Sequence, residues 1–212
     1  MEKRISILIL LIFYTVTSFA QKKAITDTGA EVLLYDDGTW KYVNLVLENK
    51  ALATNPNKFK KDKKASFLLK SSRASIGFYL DPELWSFSKA EANTDAEYEL
   101  QLKGQDLYGM IISERIEIPL ATLREMALEN GRLAAPDLEV KKEEYRIVNG
   151  EKVLMLQLDG TMQGIEFSYF GYYFSCDGGT VQFVTYTSQN LLEEFRPIAE
   201  NLLNGLVVLK EE

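Results

Sequence analysis

Apolar and polar residues alternate through much of the second half of the chain, and this period of two predicts β-strands. On the clearest of these segments Leu154, Leu156 and Leu158 share one face, while Gln157 and Asp159 share the other. A run between residues 107 and 118 alternates in the same way. It places four apolar residues on one side, namely Met110, Ile112, Ile116 and Ile118.

Turn residues separate the strands at two places. Asn149-Gly150 stands between two β-prone runs, which is typical of a two-residue hairpin. Asp177-Gly178-Gly179 joins the aromatic-rich run from Phe167 to Phe174 to a strand from Val181 to Tyr186. The central part of the chain is therefore predicted to be an antiparallel meander.

Two segments with a period of 3.6 residues predict helices. Pro119 suits the first position of the earlier helix, and Gly131 is placed to end it. Its apolar stripe comprises Leu120, Leu123, Met126 and Ala127. The later helix begins near Leu191, contains Pro197 as a kink or a second start, and ends at Gly205 before a short strand from Leu206.

The aromatic-rich run has apolar residues on both of its faces. In an extended strand Phe167, Tyr169 and Tyr173 point one way, and Phe170 and Tyr172 point the other. Such a strand belongs in the middle of a sheet that is covered on both sides. We expect it to form the core of the domain, and a ligand groove lined by the same rings is the alternative.

The first twenty residues have the pattern of a signal peptide. Lys3 and Arg4 precede an apolar run that ends in small residues at Ala20. No cysteine stands directly after this run, so we expect a cleaved Sec signal and a periplasmic or secreted protein without a lipid anchor. The mature chain divides into a small β-hairpin segment at 21–47, a Lys-rich linker at 48–66 and one domain at 67–212.

The segment at 21–47 carries a short motif with a known resemblance. Val32, Leu34 and the run Asp37 to Trp40, followed by Tyr42, match the pattern V-x-L-x-x-DGTW-x-Y. It resembles a segment found after the signal peptide in secreted proteins of Bacteroidota. The resemblance implies lineage and export rather than an activity.

Composition excludes several kinds of chemistry. Cleavage would remove Glu2, Lys3 and Arg4, shifting the formal charge from −7 to −8, and this acidity argues against binding to nucleic acid. The chain has no histidine, so catalysis by Ser-His-Asp or Cys-His groups and zinc sites with histidine ligands are excluded. Cys176 is the sole cysteine, which we expect to be a buried structural thiol rather than a redox group.

The order of elements predicts an α+β fold with an antiparallel sheet. Three stretches resemble the PsbP-like family: IGFYLDPELW from Ile76, YRIVNGEKVL from Tyr145 and FRPIAENLLNGL from Phe195. The resemblance implies an α/β/α sandwich over 67–212, with the small β-meander in front of it. It also implies protein binding without catalysis, the theme shared by that family.

We therefore expect an exported, non-catalytic binding or accessory module that contacts an unknown envelope protein, with no cofactor and no metal. Tyr35, Trp40 and Tyr42 are the candidate partner-binding residues, because aromatic side chains are common at interfaces. The lysines from Lys58 to Lys64 suggest weak contact with an anionic surface. The sequence does not predict the oligomeric state.

Two alternatives remain open. One is a carrier for a small apolar ligand, held between the sheet and a helix by the aromatic residues. The other is a hydrolase that uses paired carboxylates. The candidate pairs are Glu114 with Glu117, Glu143 with Glu144, and Asp159 with Glu166. The acidic turn residues Asp36, Asp37 and Asp177 do not have the spacing of a calcium loop.

Overall fold

The computed structural model describes residues 21–25, 31–35, 40–42, 52–91, 93 and 95–209. These residues form two helices, α1 (Leu120–Ala134) and α2 (Leu192–Leu203), with a short 3-10 turn at Gln189–Leu191 before α2. The strands are β1 (Gln21–Ile25), β2 (Glu31–Tyr35), β3 (Trp40–Tyr42), β4 (Thr54–Phe59), β5 (Phe67–Lys70), β6 (Ile76–Leu80), β7 (Trp85–Lys89), β8 (Tyr98–Leu102), β9 (Tyr108–Glu114), β10 (Glu139–Val148), β11 (Glu151–Met162), β12 (Ile165–Cys176), β13 (Gly179–Ser188) and β14 (Leu206–Val208).

The main sheet has eight strands in the order β4-β10-β11-β12-β13-β9-β8-β7. All neighbours are antiparallel except β4, which runs parallel to β10 at one edge. The centre is therefore the predicted meander, in which consecutive strands pair with each other. A second sheet of three strands, β14-β6-β5, lies apart from it.

Two hydrophobic clusters divide the domain into layers. Leu123, Ala127 and Leu128 of α1 pack with Leu154 and Leu156 on one face of the main sheet. The other face of the main sheet packs against α2 and the small sheet. The residues of this second cluster include Phe195, Ala199 and Leu202 of α2, Ile76 and Phe78 of β6, and Phe170, Tyr172, Phe174 and Phe183 of the main sheet. The fold is the predicted α+β sandwich, with helices on both faces of an antiparallel sheet.

The aromatic-rich strand β12 lies in the middle of the main sheet. Its alternation is as predicted, because Phe170, Tyr172 and Phe174 are buried beneath α2 and the small sheet. Phe167 and Tyr173 are buried on the α1 face. These rings are core, and each contributes a large buried area.

The predicted hairpins form with the backbone conformations that their residues favour. Asn149 has φ 52° and Gly150 has φ 100°, so this two-residue loop is of the type that needs two positive φ angles. A third tight turn, at Gln163-Gly164, was not predicted, although its φ angles of 54° and 82° are similar. Asp177-Gly178-Gly179 joins β12 to β13, as expected.

Helix α1 does not end at Gly131, which corrects the prediction. It continues to Ala134, and the amide of Ala135 donates to the Gly131 carbonyl at 2.9 Å. A Cβ atom at Gly131 would lie 2.4 Å from a methyl carbon of Leu138. The glycine is therefore explained by the close approach of Leu138 rather than by a helix end.

The predicted linker at 48–66 is in part a strand. Residues 54–59 form β4, so the main sheet begins before residue 67. The lysines from Lys58 to Lys64 are exposed, whereas Phe59 packs against the core. Strand β4 was not predicted because Phe59 is its one aromatic residue packed against the core, so its sequence has no alternation of apolar and polar residues. The other domain boundaries stay predictions.

The C-terminal elements follow the prediction closely. Pro197 lies inside one helix, α2, rather than starting another. Gly205 follows the helix, and β14 pairs with β6. Leu206 is buried and Val207 and Val208 are half-buried, so this strand is less enclosed than expected.

The small N-terminal meander is present as the antiparallel sheet β1-β2-β3. Lys23 of β1 lies 4.0 Å from the Glu129 carboxylate on α1. The predicted signal peptide at 1–20 lies outside the described residues, as do residues 26–30 and 36–39. Among the residues described, no helix has the length and apolar character needed to cross a membrane.

Candidate functional site

A groove opens on the α1 face of the main sheet, where α1 stops short of β13 and β9. Its floor is formed by Tyr169 and Tyr173 of β12, Val184 of β13 and Met110 of β9. Gly171 lies between the two tyrosines on this face, and Val184 packs over it. The groove therefore follows from the alternation of β12, because every second residue faces α1.

One wall of the groove is the second half of α1. Met126, Asn130 and Ala134 lie four residues apart and therefore share one face of the helix. Leu133 stands at the lip and is 86% exposed. Leu123, Ala127 and Leu128 are buried against the sheet and fix α1 in place.

Polar groups border the groove at its open side. They comprise Asn93, Asp95, Glu114 and Gln182. The side-chain amide of Asn93 lies 4.0 Å from the sulfur of Met110. The enclosed volume is about 500 Å³, which lies within the range of small-molecule sites. An apolar floor with few polar groups at the rim suits a ligand that is mainly hydrophobic.

Tyr173 is a buried residue whose hydroxyl has no hydrogen-bond partner among the described residues. The residue is 3% exposed and borders the groove, and no described residue bonds its hydroxyl. Burial raises the pKa of Tyr173, and burial likewise raises the pKa of Tyr169. Both hydroxyls are therefore neutral near pH 7. Because Tyr173 lines the groove, a ligand or water held there can supply the missing partner of its hydroxyl.

The neighbouring Tyr172 is the opposite case. Its hydroxyl accepts a hydrogen bond from Arg146 at 3.0 Å and donates one to Asn204 at 3.0 Å. Burial raises the pKa of Tyr172 to about 12, although the Arg146 charge opposes this shift. Two adjacent tyrosines on opposite faces thus have different roles: Tyr172 fixes α2 to the sheet, and Tyr173 has its hydroxyl free for the groove.

This contrast gives a matched prediction. We expect Tyr172→Phe to lower the free energy of unfolding by about 1–3 kcal/mol, because Arg146 and Asn204 each lose a partner. Tyr173→Phe should change it by less than about 0.5 kcal/mol, because no hydrogen bond is lost. Urea unfolding of the two variants measures both values. Equal losses would contradict the assignment of the Tyr173 hydroxyl to the groove.

The carboxylate pairs predicted as acid and base do not converge. Glu143 is bound by Arg124 at 2.6 Å, whereas Glu144 is bound by Arg146 at 2.7 Å on the other face. Asp159 is buried and accepts from Ser168 at 2.6 Å, while Glu166 is exposed. Each of these carboxylates except Glu166 has a structural partner.

In the remaining candidate pair, Glu114 and Glu117, only one carboxylate lines the groove. Glu114 borders the groove, and Glu117 is exposed beyond the end of β9 and does not line it. Within the described part of the chain, no three or more Cys, Asp or Glu side chains are grouped to hold a metal ion. Glu114 is therefore the one carboxylate of the predicted pairs that belongs to the groove.

Cys176 is half-buried rather than fully buried. Burial raises the pKa of its thiol, and the carboxylates of Glu151, Glu117 and Asp177 add to the effect. The thiol is therefore protonated at neutral pH, which makes it a poor nucleophile.

The predicted partner-binding residues Tyr35, Trp40 and Tyr42 stand on β2 and β3. Their side chains lie outside the described part of the structure. The sequence singled out Glu114 of β9 only as half of a carboxylate pair and did not identify the groove, although the two apolar faces of β12 were a signal for it. Which part of a sheet face a helix leaves open depends on tertiary packing, which alternation does not encode.

Comparison with known proteins supports the fold. No family model matches the sequence, and no curated protein matches it. Among solved structures, the solution structure of CyanoP, the PsbP of the cyanobacterium Synechocystis, is similar with a TM-score of 0.51 and 12% identity, covering 67% of this chain and 91% of that chain.

Two further structures are similar at lower scores. A protein of unknown function from Pseudomonas aeruginosa has a TM-score of 0.44 at 13% identity, covering 68% of this chain and 98% of that one. A protein of Bacteroides thetaiotaomicron has a TM-score of 0.42 at 11% identity, covering 64% of this chain and 46% of its own. These two add nothing to the assignment. The likeness to CyanoP concerns the fold alone: residues of this chain form a PsbP-like α/β/α sandwich.

Proposed function

We propose that the protein is an exported, non-catalytic binding module whose groove between α1 and the sheet carries a small, mainly apolar ligand. The observation that supports this proposal is the hydroxyl of the buried residue Tyr173, which borders the groove without a hydrogen-bond partner among the described residues. The export part rests on the signal-peptide pattern of residues 1–20.

The composition of the groove fits a carrier. Tyr169, Val184 and Met110 provide an apolar floor, and Met126 faces them from α1. Methionine side chains are flexible and adapt to ligands of irregular shape. Burial of an apolar ligand gains about 25 cal/mol for each Å² removed from water, so the floor supplies affinity and the polar rim supplies orientation.

The carboxylates support binding rather than hydrolysis. A glycosidase places two carboxyl groups across a cleft, about 5–10 Å apart. Here Glu143, Glu144 and Asp159 are each engaged by a neighbouring side chain, on different faces of the sheet. Their residue types alone suggested chemistry, but their contacts explain them as parts of the scaffold.

A groove-filling substitution tests the carrier function. We expect native mass spectrometry of the protein from its own host to show a bound small molecule, because purification retains a buried ligand. Gln182→Trp at the rim should abolish this adduct by occupying its space. Gln101→Trp, an exposed position on β8 outside the groove, is the matched control and should retain it.

Absence of an adduct in the natural protein, or its retention in Gln182→Trp, would contradict the proposal. Binding of an envelope protein through Tyr35, Trp40 and Tyr42 stays a separate prediction. So does contact of Lys58 to Lys64 with an anionic surface, for which the exposure of these lysines is a necessary condition.

A further inference from the structure

We infer that the ligand of this groove is an organic cation, namely an amine or quaternary ammonium group on an aliphatic chain. The inference rests on the proposed function, since it names the class of ligand that the same groove would take. The inference is based on two features of the groove. Its rim carries negatively charged side chains, and its floor has an aromatic ring and a tyrosine hydroxyl without a hydrogen-bond partner.

The charged side chains that border the groove are both acidic. They are Asp95, in the loop before β8, and Glu114, at the end of β9. Within the described part of the chain, neither carboxylate forms an ion pair, and no lysine or arginine lines the groove. Arg73 lies nearby, but it donates to the main-chain carbonyl of Asp95, at 3.2 Å.

Helix α1 adds to the negative potential. The groove lies along its last residues, from Met126 to Ala134. The C-terminal end of a helix carries a partial negative charge, which favours a nearby cation. Arg132, the basic residue in this turn, donates to the carbonyl of Leu138 and is not part of the groove lining. Its guanidinium therefore does not occupy the position that a ligand cation would take.

The floor offers the contacts that a cation and its aliphatic chain require. The faces of tyrosine rings attract ammonium groups, with or without N–H donors. Tyr169 is half-buried and provides such a ring, and the Tyr173 hydroxyl oxygen is free to accept a hydrogen bond. Met110 and Met126 lie beside them and suit the aliphatic part. An anionic ligand would meet two unpaired carboxylates instead, which disfavours fatty acids and phosphates.

Three probes of equal chain length test the inference by isothermal titration calorimetry, each below its micellar concentration. They are octyltrimethylammonium, neutral octyl glucoside and octyl sulfate. We expect the cation to bind about tenfold more tightly than the neutral probe, and the sulfate to bind least. Raising the salt from roughly 50 mM to 500 mM should reduce this preference, because salt screens exposed charges.

Variants locate the effect. Asp95→Asn with Glu114→Gln should reduce affinity for the cation about tenfold and leave the neutral probe unchanged. Glu83→Gln removes an exposed charge outside the groove and should change neither. Gln182→Trp should abolish binding of every probe.

The outcomes separate the two proposals. Equal binding of the cation and the neutral probe, both lost in Gln182→Trp, would overturn the cation inference and leave the carrier function standing. Preference for the sulfate would also overturn the inference. Binding that survives Gln182→Trp, or no binding of any probe, would count against the groove itself and so against both.

Discussion

Among the glycines that the structure describes, Gly205 is the one whose replacement by alanine is expected to destabilise the protein most. A Cβ atom at Gly205 would lie 1.9 Å from the Tyr79 carbonyl oxygen and 2.9 Å from that of Leu202. Both obstacles are backbone atoms, so no side-chain rotation relieves the clash. The junction of α2 and β14 would have to move away from β6, breaking the hydrogen bond from the Tyr79 amide to the Gly205 carbonyl.

We expect a loss of about 3 kcal/mol or more in the free energy of unfolding, at the upper end for overpacking. Urea denaturation followed by circular dichroism measures it. Gly104→Ala is the control, because Gly104 has φ 70° but no atom within 4 Å of its Cβ position. It should cost about 1 kcal/mol from backbone strain alone. Similar losses at both positions would show that close packing at Gly205 does not matter.

Arg146→Met should cause the second large decrease in the free energy of unfolding. Arg146 is 3% exposed, and its guanidinium binds Glu144 at 2.7 Å and Glu200 at 2.9 Å. The same group lies 4.5 Å from the centre of the Phe59 ring. Removing the charge leaves two partly buried carboxylates without their partner, which typically costs more than the ion pairs themselves contribute.

The expected loss is about 3 kcal/mol, at the lower end for a broken buried pair, because Glu200 is partly exposed. Thermal unfolding should shift down by roughly 6–12 °C for a domain of this size. Arg115→Met removes an exposed arginine and should stay within about 0.5 kcal/mol of the natural protein. An equally small shift for Arg146→Met would refute the role of this network.

Local sequence signals predicted the parts of the fold that depend on near neighbours. Asn149-Gly150 identified a hairpin because few residues accept positive φ at both positions. The alternation of β12 predicted core on both faces for the same local reason. The prediction that α1 ends at Gly131 was wrong, because a glycine is needed there for close contact with Leu138, seven residues further along the chain.

Features that depend on distant contacts were not predictable. Strand β4 has one inward aromatic residue, and its pairing partner β10 lies about ninety residues away. Arg146 follows a run of charged residues in the sequence, yet Glu200 and Tyr172 bind its guanidinium. The groove arises because α1 covers β11 and β12 but not β9. The sequence around Met110 and Glu114 does not indicate that α1 leaves β9 uncovered.

The turn residue Asn149 has a consequence for the order in which the chain folds. Its side-chain amide donates to the carbonyls of Asn204 and Leu206, both at 2.8 Å, and its side-chain oxygen accepts from the Lys61 amide at 3.0 Å. The β10–β13 meander can assemble from adjacent hairpins, whereas the contacts of Asn149 span more than fifty residues on either side. Closing such long loops costs more entropy, so we expect both ends of the domain to join a preformed meander at this turn as the last step.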